Sequence, residues 1–213
     1  MLKVFSQPSR RVFVVGTLLV AVVVGLGNTF APEGDTWNFF VLPAAAFSLF
    51  VVSGFDLRAH LSLGVTWRQW IASAALTAAA VAAALGAVAA VTSYFNGYYG
   101  SFVVRAVPSR FTLENTLHPA VGLFLTFTVF FVVLFFFAAC GIAVGSFAST
   151  NMSVFLILPA VLALFFFGGA FLGVGMSTFH LDLPAPVPGV YVYLIPASAL
   201  IFSLTALGAR RGL

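Results

Sequence analysis

The stretch PAVGLFLTFTVFFVVLFFFAACGIAVGS, Pro119–Ser146, carries no charged side chain from one end to the other. A helix needs about 20 apolar residues to cross the hydrocarbon core of a bilayer. In lipid, each backbone N–H and C=O must find its partner inside the segment, so an uncharged apolar run of this length becomes a helix. Working outward, five further stretches have the same character: about 12–28, 37–55, 67–94, 154–175 and 190–208. None contains Asp, Glu or Lys, and Arg68 stands only at the entry to the third. The predicted fold is an all-α membrane protein, a bundle of six transmembrane helices forming a single transmembrane domain over residues 1–213.

Composition excludes a water-soluble alternative. The chain is 62% hydrophobic and 7% charged, with 26 Phe. A soluble domain has roughly 45–50% apolar and about 25% charged residues. A net charge of +4 would point a soluble protein toward nucleic acid, but here the basic residues flank apolar runs, which is the positive-inside pattern, and no nucleic-acid partner is expected. The single cysteine, Cys140, excludes a disulfide within the chain. Lys3, Arg10 and Arg11 ahead of the first apolar run resemble the start of a signal peptide. The five spans that follow make that run a retained first span.

Six spans put both termini on one side. With the termini in the cytoplasm, the inner segments hold Lys3, Arg10, Arg11, Arg58, Arg68, Arg210 and Arg211, and the outer segments hold Arg105 and Arg110. Glu33, Asp35, Glu114 and Asp182 then lie outside. Lys and Arg in short loops set orientation, so this asymmetry predicts a multi-pass cell-membrane protein with cytoplasmic termini. The long outer segment 95–118 opens with Tyr94, Phe95, Tyr98 and Tyr99 beside it, rings that settle at headgroup level. A gate or lid over an exit path is the alternative for that segment. Met1–Arg11 reads as a short surface helix with Leu2, Val4 and Phe5 toward lipid, interrupted by Pro8.

The inner loop Asp56-Leu57-Arg58-Ala59-His60-Leu61-Ser62-Leu63-Gly64-Val65-Thr66-Trp67-Arg68-Gln69-Trp70 has the most specific local chemistry. Residues 57–63 make about two helical turns, and Gly64 is placed to end them in a left-handed conformation. Thr66 and Gln69 have capping-box spacing, which starts the next helix. Trp67 and Trp70 are expected at the water–lipid boundary, with Arg68 facing the anionic inner leaflet. His60 reads as a solvated loop residue. Without a partner, this would be an ordinary well-capped connection between spans.

The run Leu63-Gly64-Val65-Thr66-Trp67-Arg68-Gln69-Trp70 after a second span resembles the membrane subunits of bacterial ABC-2-type ABC exporters. It departs from their common pattern at Trp67, where a basic residue is frequent. The resemblance covers nearly the whole chain through its six spans and inner termini. It implies that the short helix at about Leu57–Leu63, with Arg58, His60 and Leu61, is a coupling element that docks in a cleft of a separate ATPase. It further implies that Gly64, Thr66 and Arg68 form the joint with the third span. The expected partners are an ABC ATPase carrying the ATP and Mg, a second permease copy or related permease, and membrane lipid.

No other chemistry competes for this chain. Its only lysine is Lys3, so it holds no phosphate-binding loop of the kind that needs a lysine after a glycine-rich turn. It has no His-Glu-x-x-His zinc motif and no carboxylate pair within a span. The chain itself is therefore read as no enzyme, with no cofactor or metal of its own. Gly145-Ser146 has no histidine at its membrane level, and His118 with His180 is too sparse a pair for a metal centre. Asn151-Met152-Ser153 matches a glycosylation acceptor but falls in an inner loop. Gly141 and Gly145, with Gly169 and Gly173, form small-xxx-small faces for close helix approach, either within one subunit or between two. Pro43, Pro159 and Pro196 lie inside spans in no paired arrangement, unlike an inverted-repeat carrier. The predicted function is the permease subunit of an ATP-driven exporter in the cell inner membrane. The rivals are a non-transporting membrane protein, such as an immunity, assembly or scaffold factor, and a stand-alone secondary carrier.

Overall fold

The computed structural model describes Phe5 and residues 10–30, 37–95, 119–148, 191 and 194–210. Regular structure among the described residues is entirely helical. Helix α1 spans Arg10–Phe30, and a π-helical turn at Trp37–Val41 leads into α2, Leu42–Gly54. Then come α3 (Leu57–Ser62), α4 (Trp67–Phe95), α5 (Pro119–Ala148) and α6 (Ile195–Arg210). Pro43 sits in the first turn of α2, directly after the π-helical turn.

Among the described residues, four stretches are long and apolar enough to cross a membrane: Arg10–Phe30, Leu42–Ser62, Trp67–Phe95 and Ala120–Ala148. Ile195–Leu207 is apolar but shorter. The stretches 12–28, 67–94 and 119–146 lie inside α1, α4 and α5, and 37–55 is covered by the π-helical turn and α2. Span 154–175, Pro159, Gly169, Gly173 and the segment 96–118 lie outside the described residues.

The first four long elements alternate in direction. At one end of the bundle Asn28 of α1 donates to Asn38 Oδ1 at 3.0 Å and to Thr92 Oγ1 of α4 at 3.0 Å. At the other end Phe13 of α1, Phe50 of α2 and Trp70 of α4 belong to one buried cluster. Helix α6 breaks the alternation. Tyr191 OH lies 2.6 Å from Thr128 Oγ1, and the Phe202 ring packs 5.6 Å from Phe135, so α6 runs parallel to α5. Ala148 lies about 30 Å beyond Thr128 along α5, at about 1.5 Å per residue. The chain thus leaves α5 at one end of the bundle and enters α6 near the other.

Helices α2 and α5 touch backbone to backbone. A Cβ on Gly145 would collide with the Val51 carbonyl oxygen, and one on Gly141 with the Phe47 carbonyl oxygen. A Cβ on Gly54 would stand 2.9 Å from Gly145 Cα. Gly141 and Gly145 are therefore engaged within the chain, against α2. Gly86 gives α4 a similar approach to α5, where a Cβ would be 3.3 Å from Phe131 N. Phe127, Phe131 and Phe135 then form a row along α5, with centroids 6.2 and 6.1 Å apart. Helix α1 is peripheral: Val12, Val15, Leu18, Leu19 and Val22 are all more than half exposed, a face suited to lipid.

Two sequence expectations are corrected here. Phe5 does not face lipid; it is 1% exposed and sits in the buried cluster with Phe13, Phe50 and Trp70. Trp70 does not face the lipid surface either; one turn further into α4 than Trp67, it is fully buried among the helices. In both cases packing against other helices outweighs the general preference of aromatic rings for an interface.

The glycine seam makes a direct prediction. Gly145→Leu should lower the melting temperature of the purified protein in detergent sharply, because its side chain meets backbone that cannot yield; overpacking typically costs about 1–3 kcal/mol. Gly25→Ala, where a Cβ meets nothing within 4 Å, should leave the protein as stable or slightly more so. Equal melting temperatures for Gly145→Leu and wild type would refute the seam.

Candidate functional site

The candidate site is the turn that carries α3. Leu57 is fully buried and His60 is 6% exposed, with Leu61 and Val65 partly buried against the same cluster. Arg58, Ala59, Ser62, Leu63 and Gly64 face outward. The inward positions follow helical spacing, so this one and a half turn helix has a packed base and an exposed crest. Leu63, at its end, is 80% exposed.

Both joints of the turn are fixed by hydrogen bonds that the sequence encodes. Gly64 has φ +81°, the left-handed region that an L side chain rarely adopts. The Val65 N–H donates to His60 O at 3.1 Å and the Gly64 N–H to Leu61 O at 3.1 Å, which is a complete Schellman stop. Two residues later the next helix begins. The Thr66 N–H donates to Gln69 Oε1 at 3.2 Å, and the Gln69 N–H donates to Thr66 Oγ1 at 3.4 Å, forming the capping box. No free linker separates α3 from α4.

His60 is a further correction: it is not solvated. Its Nδ1 lies 2.7 Å from the Asp56 carbonyl oxygen, an acceptor, so Nδ1 carries the proton and donates. The ring staples the first turn of α3 from its buried side. Arg68, in contrast, is exposed, with its guanidinium carbon 5.3 Å from the centroid of the Trp67 ring. That geometry adds about 0.5–1 kcal/mol at an exposed site.

The floor under the turn is aromatic. Phe5 stacks on Phe50 at 6.0 Å and meets Trp70 edge-on at 5.3 Å, and Phe13 lies 5.1 Å from Phe50. Gly54, at the end of α2, is pressed against Gly145 two residues before Asp56, the residue that precedes α3. The turn is therefore braced by α2, α4 and α5 together. What the turn offers is a shaped, partly basic contact surface, with Arg58 and Arg68 exposed.

Other candidates are placed as follows. Ser146 is fully buried and its hydroxyl donates to Ala143 O at 2.8 Å, the usual back-bond of a helical serine. His118, His180 and Asn151-Met152-Ser153 lie outside the described residues. Among the described residues, no group of three or more His, Cys, Asp or Glu could hold a metal ion. A groove of about 290 Å³ between α1 and α4 is bounded by Phe13, Leu18 and Val81, and one of about 400 Å³ between α5 and α6 by Phe131, Phe135 and Phe202. Both are almost wholly apolar and suit acyl chains or other apolar guests.

Sequence reasoning missed two features. One is the seat of Phe5, which depends on a residue 68 positions away. The other is the buried polar knot at the far end, where Asn38 also donates to Ser93 Oγ at 3.1 Å. Asparagines at the edges of apolar runs, Asn28 and Asn38, were its only trace in the sequence. No family model, curated protein or solved structure matches the chain.

The joint is testable by itself. Gly64→Ala should destabilise the protein by about 1–2 kcal/mol, the cost of a side chain in a left-handed conformation, and Thr66→Ala by about 1 kcal/mol through loss of the cap. Thermal or denaturant melts in detergent check both. A Gly64→Ala protein as stable as wild type would mean the turn does not hold this conformation.

Proposed function

We propose that this chain is the permease subunit of an ATP-driven exporter of the ABC-2 type, and that α3 is the element on which a separate ATPase pushes. One observation carries the reading: a short helix, stopped and restarted by tight hydrogen-bonded joints, exposes Arg58, Ser62 and Leu63 above a buried base of Leu57 and His60. A rigid crest of this kind transmits force, which a flexible loop would absorb.

The rest of the chain supports the same reading. Ion-coupled carriers keep ionisable groups inside their spans. Here the charged residues of the long described helices stand at their ends: Arg10, Arg11, Arg68 and Arg210. The energy for transport then enters from outside the bilayer. The parallel course of α5 and α6 supports six crossings. With both termini cytoplasmic, α3 faces the cytoplasm, where ATP and Mg would be held by the partner. Two copies of the permease, or one copy with a related one, would enclose the path. The phenylalanine-lined grooves favour an apolar cargo or lipid.

Leu61 leans on the core, so the exposed Leu63 and Arg58 are the better probes of docking. Wild-type protein, tagged and extracted from its own membrane in mild detergent, should carry an ATPase. Leu63→Asp with Arg58→Glu should reduce the retained ATPase by at least about tenfold, while Phe95→Asp, exposed at the opposite end, should not. Purification without any ATPase, or retention unchanged by the crest variants, would overturn the reading in favour of a non-transporting membrane protein. Proton-dependent flux by the isolated chain would instead make it a carrier.

A further inference from the structure

Phe5 lies ahead of the first helix and is packed among that helix and two others. Its backbone N–H donates to Ser73 Oγ of α4 at 2.9 Å. Its ring contacts Phe13 of α1 at 5.8 Å, Phe50 of α2 at 6.0 Å and Trp70 of α4 at 5.3 Å between centroids. One residue thus ties three helices together at the level where α2 passes into α3 and α3 into α4. Leu57, the buried base of α3, belongs to the same apolar cluster. Beside the Phe5 ring, the Trp70 indole Nε1 is buried and has no hydrogen-bond partner. A buried donor left without an acceptor is unfavourable, and water would bond it if space allowed. The Phe5 ring packs edge-on against that indole.

We propose that Phe5 is a positioning residue for α3: by pinning the start of α4 against α2, it fixes the angle at which the crest of α3 is presented. This inference rests on the reading of α3 as the docking element. Phe5 itself is 1% exposed and takes no part in the contact surface. Its effect is exerted through Trp70 and Phe50, on the two helices that flank the turn.

The protein has three Trp, so replacing Trp37 and Trp67 by Phe leaves Trp70 as the only indole. In that background, tagged full-length protein is extracted with its ATPase, and two quantities are read: Trp70 emission with acrylamide quenching, and the amount of ATPase retained. Phe5→Ala should shift Trp70 emission to the red, make it quenchable, and lower ATPase retention about tenfold. Phe5→Leu, which refills most of the space, should keep the emission blue and restore most of the retention. If Phe5→Ala yields no monodisperse protein, Phe5→Val is read in its place. Unchanged Trp70 emission, or an exposed Trp70 with wild-type retention, overturns the inference. Leu63→Asp separates the two levels of the argument. If it releases the ATPase while the Phe5 variants do not, only the role of Phe5 falls; if it retains the ATPase, the docking reading and this inference fall together.

Discussion

Apolar helices in lipid gain little from touching one another, because acyl chains are as apolar as leucine. What holds them is close packing of small residues and the few polar contacts that lipid cannot replace. In this protein the decisive contact is the glycine seam of α2 and α5, where Gly141 and Gly145 receive the carbonyls of Phe47 and Val51 and where Gly54 meets Gly145. The seam ends where α2 ends. It therefore sets the position from which the chain turns into α3, and everything built on that turn inherits its rigidity.

The two ends of the bundle are secured by different chemistry. The end bearing α3 is packed with rings and backbone, and its turn is locked by the left-handed Gly64 and by the reciprocal Thr66–Gln69 bonds. The opposite end is tied by amides and hydroxyls, with Asn28, Asn38, Thr92 and Ser93 bonded to one another across α1, the π-helical turn and α4. Hydrogen bonds between spans are worth on average about 0.6 kcal/mol each.

The features legible in sequence are those set by neighbours along the chain. Span positions follow from the absence of charge, and α1, α4 and α5 fall on runs with no charge beyond Arg68 at the entry to α4. The stop at Gly64 and the restart at Thr66 follow from residue types a few positions apart. The misread residues are those decided at long range. Phe5 and Trp70 are aromatic residues near a boundary, where the general rule puts rings at the headgroups, yet each finds a better partner in the other. His60 is polar and sits in a loop, yet its ring turns inward and bonds Asp56 O. The spacing of Gly141 and Gly145 announced a close helix approach without saying to which helix; three-dimensional packing assigns it to α2.

The account has a single spatial requirement: the crest of α3 must face the compartment that holds ATP. Leu63→Cys in a Cys140→Ser background places one thiol at a strongly exposed point of that crest, since Cys140 is the only native cysteine. A membrane-impermeant maleimide applied to right-side-out and inside-out vesicles then reports its side. Labelling confined to inside-out vesicles is the predicted result. Labelling confined to right-side-out vesicles would put α3 on the external face and contradict the account.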